Sequence, residues 1–283
     1  GIIKNQAGEL VLGGANTYDG GTYLDKGTLT LSNAAALGSA KIDLGRGAST
    51  GTETATLKLA LAGMSLANAI DVKTNSTGIK TIQAAVNATL SGGITNNETG
   101  DDRFNIDVAS GATLTASGLM SGTGGGELTK LGAGTLVLSN AGNSHSKKIT
   151  VQAGVLSISA SRHLGEDPTG SYANKLTLNG GTLKATASFA LNTNYNTVIG
   201  VNHGAFDVDA GMVLTNGAPI SGTGALNKLG NGTLLLVGDS TFSGPFTNSA
   251  GTLQIANNGT AGSLTANLIN NAALFWHRSD NVT

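Results

Sequence analysis

The stretch GDSTFSG, Gly238 to Gly244, places Ser240 directly after a Gly-Asp pair, as several hydrolase families present a nucleophile. A serine hydroxyl attacks a carbonyl only when a neighbouring base takes its proton and a third group orients that base. Four histidines, His145, His163, His203 and His277, are available for that part. A second chemistry is glycoside hydrolysis, which needs two carboxyl groups about 5–10 Å apart across a sugar. Asp43, Glu53, Asp71 and Asp101 are the acids that stacked strands could bring to one side. A third is calcium binding by the carboxylates of Glu98, Asp101 and Asp102 in NNETGDDRFNID, Asn96 to Asp107, a stretch that otherwise reads as a solvated turn. There is no cysteine, so disulfides, thiolate zinc sites and cysteine nucleophiles are excluded. GTGGGE, from Gly122, lacks the helix that a phosphate-cradling loop must open, and no metal-ligand cluster or dinucleotide fingerprint is present. The sequence implies no cofactor and no metal.

The chain supplies its own control for Ser240. LLLVGDSTFSGPFTNSAGTLQI, Leu234 to Ile255, aligns without a gap to LVLGGANTYDGGTYLDKGTLTL, Leu10 to Leu31. Leu10, Leu12, Gly14, Thr17, Gly20, Gly27, Thr28 and Leu29 fall on Leu234, Leu236, Gly238, Thr241, Gly244, Gly251, Thr252 and Leu253. A third copy, KLGAGTLVLSNAGNSHSKKITVQAGVLSI, runs from Lys130 to Ile158. The copies thus lie near 4–31, 130–158 and 228–255, with Lys4 on Lys228 and Lys130 at the same step. Ser240 stands where the other copies have Asn16 and, about, Asn143. A nucleophile does not alternate with asparagine. Short polar side chains that bond nearby backbone in turns do. No histidine holds a shared repeat position, so the residues point to no catalytic group.

Many short segments alternate apolar and polar residues: GTLTLSN, GTLVLSN, GTLLLVG, GTLQIAN and KLTLNGGTLKA. Alternation over four to six residues predicts strands, and Gly, Asn, Asp and Ser clusters punctuate them. The helix-like passages, LSNAAALGS and AGMSLANAI, are short and bounded by glycine. Aromatic residues are 4% of the chain, too few for most closed cores of this size, whereas stacked rungs need only like side chain above like side chain. The pattern predicts an all-β fold, a three-sided parallel β-helix (solenoid) of about a dozen coils with roughly 20–25 residues each, as one unit over residues 1–283. Charged residues are only 12% and the formal net charge is −1, so a nucleic-acid partner is excluded. No apolar run of about 18 or more residues predicts a membrane-spanning helix. Both ends read as the middle of a pattern, and the chain is expected to be a piece of something longer.

LTKLGAGTLVLSN, LNKLGNGTLLLVGDSTFSG and LVLGGANTYDGGTYLDKGTLTLSN resemble the autotransporter-associated β-strand repeat found in passenger domains of Gram-negative type V secreted proteins. The first copy follows that pattern from Gly8 to Leu29 but has KNQAGEL where the Lys-x-Gly-x-Gly-Thr-Leu step belongs; the later copies keep the step and lose the tyrosine. The resemblance implies a right-handed β-helix outside the bacterial cell or on its outer-membrane surface. It also implies a signal peptide before this segment and an outer-membrane β-barrel after it, and repeats that aid export. It further implies a non-enzymatic passenger that binds a host cell-surface receptor, a matrix protein or a glycan, or self-associates. The alternatives are a stalk presenting another domain and a hydrolase on a β-helix scaffold.

Protruding loops are where a solenoid carries function. SRHLGEDPTGSYANK, residues 161–175, breaks the repeat, and Arg162, His163, Glu166, Asp167 and Tyr172 are the candidate partner contacts. NTNYNTVIGVNHGAF, around Tyr195 and His203, is a weaker case of the same kind. Asp207 and Asp209 alternate on one strand and are expected to face solvent. The only tryptophan, Trp276, is expected to lie exposed on a coil whose next neighbour is outside this chain.

Overall fold

Alternation sorts each strand into an inward and an outward set, because successive side chains of a strand point to opposite faces. The computed structural model describes residues 1–46, 52–74, 77–99, 103–122, 126–167, 170 and 172–279, side chains 172–174 excepted. The chain divides into two compact units, Gly1–Lys147 and Lys148–Thr283. Each is an all-β parallel solenoid.

In the first unit one sheet holds Ile2–Lys4, Thr22–Leu24, Ile42–Leu44, Ile70–Val72, Ile94–Asn96 and Met120–Ser121. A second holds Glu9–Leu12, Gly27–Leu31, Ala55–Leu59, Lys80–Ala84, Phe104–Val108 and Leu128–Leu131. A third holds Met64–Leu66, Ala88–Leu90, Thr113–Ala116 and Thr135–Leu138. From Ala55 the chain visits the second, third and first sheets in turn. Lys80, Phe104 and Leu128 are register partners that mark successive coils, within the predicted period. Leu29, Leu57, Ile82 and Ile106 stack in register inside the second sheet, each fully buried. Each such side chain contributes about 1.5–3 kcal/mol by leaving water. That repeated burial holds a coil against its neighbours, since a coil alone has nothing to cover its apolar face.

The second unit is built the same way. Its sheets are Ile149–Val151, Tyr172–Leu178, Tyr195–Ile199 and Ile220–Gly222; Val155–Ile158, Thr182–Ala185, Gly204–Val208, Leu226–Leu229, Phe246–Asn248 and Leu268–Asn270; and Phe189–Leu191, Val213–Asn216, Thr233–Leu236, Thr252–Gly259 and Ala273–Arg278. Leu214, Leu234 and Leu253 form a buried stack. Phe206, Lys228 and Asn248 form another in which the apolar succession turns polar without leaving the interior. Trp276 pairs with Ile255 on strand Ala273–Arg278 and is 44% exposed.

Neither helix-like passage is helical. Residues 33–37 form turns in which Asn33 Oδ1 accepts the Ala35 N–H at 2.8 Å, and AGMSLANAI contributes strand Met64–Leu66. Gly63, at φ 73°, marks the turn into that strand and cuts the apolar spacing short of a helix. Among the described residues the only helical element is one 3-10 turn, Ser161–Leu164.

Candidate functional site

Ser240 is fully buried, and its Oγ has no hydrogen-bond partner. No base therefore reaches it, and no substrate can. Its backbone forms a parallel bridge to Leu264: its N–H donates to Ser263 O at 2.9 Å, and its carbonyl accepts from the Thr265 N–H and hydroxyl at 3.3 and 3.2 Å. The neighbouring Asp239 does the capping. One of its oxygens accepts the Gly262 and Ser263 N–H groups and the Ser263 hydroxyl at 3.1, 2.9 and 2.8 Å. Hydrogen bonds from the Ser263 backbone and hydroxyl hold its carboxyl below the ordinary value. At the matching places Asn16 Nδ2 donates to Ala36 O at 2.7 Å, and Asn143 Oδ1 accepts the Met120 N–H at 2.8 Å. All three copies tie one coil to the next here. Ser240→Ala removes an unsatisfied buried hydroxyl, so its expected effect is a stability within about 1 kcal/mol of the parent or slightly higher, read by urea unfolding.

Asp43 and Asp71 do meet, as register partners on adjacent strands. Both are clamped. Lys41 Nζ lies 3.3 Å from Asp43 and 2.8 Å from Asp71; Lys73 Nζ lies 3.4 and 2.6 Å away. Burial pulls the Asp71 carboxyl up, but the hydrogen bonds from Lys41 and Lys73 outweigh it and hold the group below its ordinary value. A glycosidase acid needs the opposite shift. Glu53 pairs with Lys26 at 3.2 Å, and Asp101 lies outside the described residues. Asp207 and Asp209, half-buried on the outer side, share Lys184 at 3.2 and 2.5 Å.

Glu98 is neither a solvated turn residue nor an open calcium ligand. It is fully buried, with Oε2 2.5 Å from the equally buried Lys80 Nζ and Oε1 3.7 Å from Arg103. Asp102, like Asp101, lies outside the described residues. Among the described residues no cluster of three or more His, Asp or Glu side chains is placed to hold a metal ion.

The residues the sequence reading passed over are the repeat lysines. Lys130 and Lys228 stand in the buried stacks directly beyond Ile106 and Phe206, and both are fully buried. Lys130 Nζ donates to Leu131 O and Gly132 O at 2.7 and 2.8 Å. Lys228 Nζ donates to Leu229 O and Gly230 O at 2.8 and 2.7 Å, and to Ala250 O of the following coil at 2.9 Å. Lys4 repeats the arrangement with Gln6 O and, one coil on, Lys26 O at 3.1 Å. Burial pushes Lys130 and Lys228 down to about 8, against the opposing pull of Asp107 and Asp207. The glycines of the motif make the turn possible. Gly132 and Gly230 adopt φ 72° and 70°, and a Cβ on either would lie 2.2 or 2.3 Å from the preceding coil's carbonyl of Val108 or Val208. At Lys4 and Lys228 the arrangement stitches coil to coil: the ammonium gathers carbonyls from its own turn and from the next. The available signal was the same lysine recurring in all three copies.

In the loop of residues 161–175, His163 is buried and its Nδ1 accepts the Ser159 N–H at 3.3 Å. Leu164 is buried beside it. The buried Tyr195 hydroxyl donates to Gly165 O and Glu166 O, at 3.1 and 2.9 Å, so the weaker candidate segment serves as the anchor of this one. Burial, then the charge of Asp167, raises the Tyr195 hydroxyl well above its ordinary value. Arg162 and Asp167 face each other at 3.6 Å, both partly exposed, and Glu166 is exposed. Tyr172 begins strand Tyr172–Leu178 opposite Tyr195. The loop therefore offers Arg162, Glu166 and Asp167 to solvent, with His163 turned inward.

Three stretches, residues 2–33, 128–158 and 226–255, match the family model of the passenger-associated-transport-repeat. Each contains one of the buried lysines Lys4, Lys130 and Lys228. Over 249 residues the chain is 32% identical to the adhesin BmaC autotransporter of Brucella suis biovar 1 (strain 1330), a match covering 86% of this chain and 7% of that protein. The chain thus spans a small fraction of that relative. No solved structure matches it.

Proposed function

We propose that this chain, an autotransporter passenger segment carrying three passenger-associated transport repeats, is an adhesive part of its parent, binding a partner at a host surface. A passenger segment of this kind lies outside the cell or on the outer-membrane surface. The observation that carries the adhesive reading is the similarity to an autotransporter adhesin across most of the chain. The site geometry supports a non-enzymatic role: Ser240 is sealed in the interior, and the paired acids Asp43 and Asp71 are each clamped by two ammonium groups. What the molecule offers a partner is flat outer sheet faces and the loop bearing Arg162, Glu166 and Asp167.

The test is saturation binding of labelled, monodisperse chain to cultured epithelial and endothelial cells, with light scattering run alongside. Saturable, competable binding is expected. If the loop is the contact, Arg162→Ala/Glu166→Gln/Asp167→Asn lowers affinity at least tenfold and leaves unfolding unchanged, since all three side chains are at least partly exposed. Absence of binding from a folded monomer overturns the adhesive reading. The stalk then becomes the reading of choice, and the coil-to-coil stitching by Lys4 and Lys228 is the observation that favours it.

A further inference from the structure

A buried histidine sits at the root of the loop that carries Arg162, Glu166 and Asp167. His163 is 5% exposed and lies in the 3-10 turn Ser161–Leu164, which has no side-chain cap at Ala160. Its Nδ1 accepts the Ser159 N–H at 3.3 Å, which joins the turn to the end of strand Val155–Ile158. An acceptor nitrogen carries no proton, so this bond requires the neutral ring. The next proton has to go to Nδ1, where it meets the Ser159 N–H, and it puts a charge in a place shielded from water. The strands packed against the turn, Val155–Ile158 and Phe189–Leu191, carry no titratable side chain to meet that charge. On the loop itself the adjacent Arg162 opposes it. Asp167 would favour it but faces Arg162 at 3.6 Å, and Glu166 is exposed. Tyr195, whose hydroxyl holds the carbonyls of Gly165 and Glu166, has the buried Lys175 ammonium 5.6 Å from its ring centre, a further opposing cation. His203 makes the same kind of bond, its Nδ1 accepting the Ala225 N–H at 2.9 Å, but on the exposed surface; His163 combines the bond with burial.

From this geometry we propose that His163 is an acid-released latch: neutral, it fastens the loop in the form that presents Arg162, Glu166 and Asp167, and protonated, it lets the loop go. The inference rests on the adhesive reading and names the regulation of that contact. A protonated ring cannot keep both its place and the Ser159 bond. When it leaves, the turn goes with it, and Ser161 Oγ gives up the Asn192 N–H that it accepts at 3.0 Å. An unfolded histidine takes its proton at about 6.5, and burial makes the folded site take it only at a lower pH. The fastening is therefore complete above about 6.5 and is lost as pH falls through the folded value. Ordinary carboxylates titrate at about 4, below this window. The coils keep their apolar stacks, so the release is local.

The test is amide exchange and histidine ring NMR on the full chain from pH 7.5 to 5, with exchange corrected for the intrinsic effect of pH. Protection at least tenfold lower at pH 5.5 than at pH 7.5 is expected for Ser159, His163 and Gly165, whose N–H groups are bonded in the closed turn, with Leu234 unchanged. The His163 ring signal should turn protonated over the same range. His163→Asn, whose side-chain oxygen takes the place of Nδ1 without titrating, is expected to stay protected at pH 5.5. His163→Phe, which keeps a buried ring without the acceptor, should likewise lose the pH dependence. Equal protection of the parent at both pH values, or variants that open in acid as the parent does, overturns the latch. In the cell assay, parent binding is expected to fall at least tenfold between pH 7.4 and 5.5 and to recover on neutralisation, while His163→Asn binds alike at both. A loop that opens in acid while cells are bound equally well at both pH values overturns the regulation and leaves the adhesive reading standing. A parent chain that binds no cells at pH 7.4 but opens through His163 sinks the adhesive reading and leaves the latch standing.

Discussion

Glu98→Ala is expected to destabilise the first unit by about 3–5 kcal/mol, the scale for removing one member of a buried ion pair. Lys80 opens strand Lys80–Ala84 with its side chain turned inward, between the register partners Ala55 and Phe104. Its ammonium is fully buried and meets Glu98 Oε2 at 2.5 Å. Glu98 is itself held: Oε1 accepts the Thr99 N–H at 3.0 Å, and its own N–H donates to Asn96 Oδ1 at 3.0 Å. Alanine leaves a cation in an apolar interior with its main counter-charge gone. The paired replacement Lys80→Met/Glu98→Leu is expected to return most of the loss, because desolvating two charges offsets much of their attraction. Solenoids need not unfold in one step, so the readout is amide exchange in Lys80–Ala84 and Ile94–Asn96 as well as the urea midpoint. If Glu98→Ala exchanges like the parent, the pair does not organise this coil.

Lys228→Met is expected to lower the stability of the second unit by about 3 kcal/mol, since three carbonyls lose a charged donor at once. Leu229, Gly230 and Ala250 all face its Nζ within 2.9 Å, and Ala250 belongs to the following coil. Faster exchange should therefore spread from Leu226–Leu229 to Phe246–Asn248. The same lysine sets a pH dependence. Burial pushes Lys130 and Lys228 from 10.5 to about 8. Between those values the unfolded chain binds more protons than the folded one, so stability should rise as pH climbs from about 8 towards 10.5 and be flat just below 8. Lys228→Met should remove its share of that rise from an unfolding series across pH 7–11. The acid limb runs the other way. Asp71 and Asp239 lie below their ordinary 3.8 when folded, so their contribution is present above that value and is lost as pH falls through the folded values.

The loop illustrates how far residue type carries. Charged, irregular and rich in turn formers, the segment of residues 161–175 reads from sequence as a protruding loop with Arg162, His163, Glu166, Asp167 and Tyr172 as candidate partner contacts. Arg162, Glu166 and Asp167 do face solvent, but His163 and Leu164 fold inward and the Tyr195 hydroxyl ties down the carbonyls of Gly165 and Glu166. Tyr195 lies 30 residues from Gly165 in sequence and one coil away in space. No local pattern encodes that contact.

Strand alternation, glycine punctuation and internal repetition are local properties, and from them the sequence by itself determined an all-β solenoid, its coil period, its repeat copies and the demotion of Ser240. Leu29, Leu57 and Ile82 stack because each sits at the same phase of a two-residue period, which is legible without coordinates. Where the charges lie was decided only by the tertiary structure. Lys80, Lys130 and Lys228 occupy the inward phase of their strands, yet an ammonium at such a place reads as solvent-facing on residue type alone. What makes burial tolerable there is a partner the folded turns deliver: the Glu98 carboxylate for Lys80, the carbonyls of its own glycine turn for Lys130, and those of its own turn together with Ala250 O of the following coil for Lys228. Asp43 and Asp71 show the same limit. Their meeting follows from strand register, and their neutralisation follows from two lysines that the sheet geometry brings within 3.4 Å. Desolvation penalises every lone charge, so the fate of each charged residue here depends on which neighbour the stacking supplies, and stacking is a property of the folded coils.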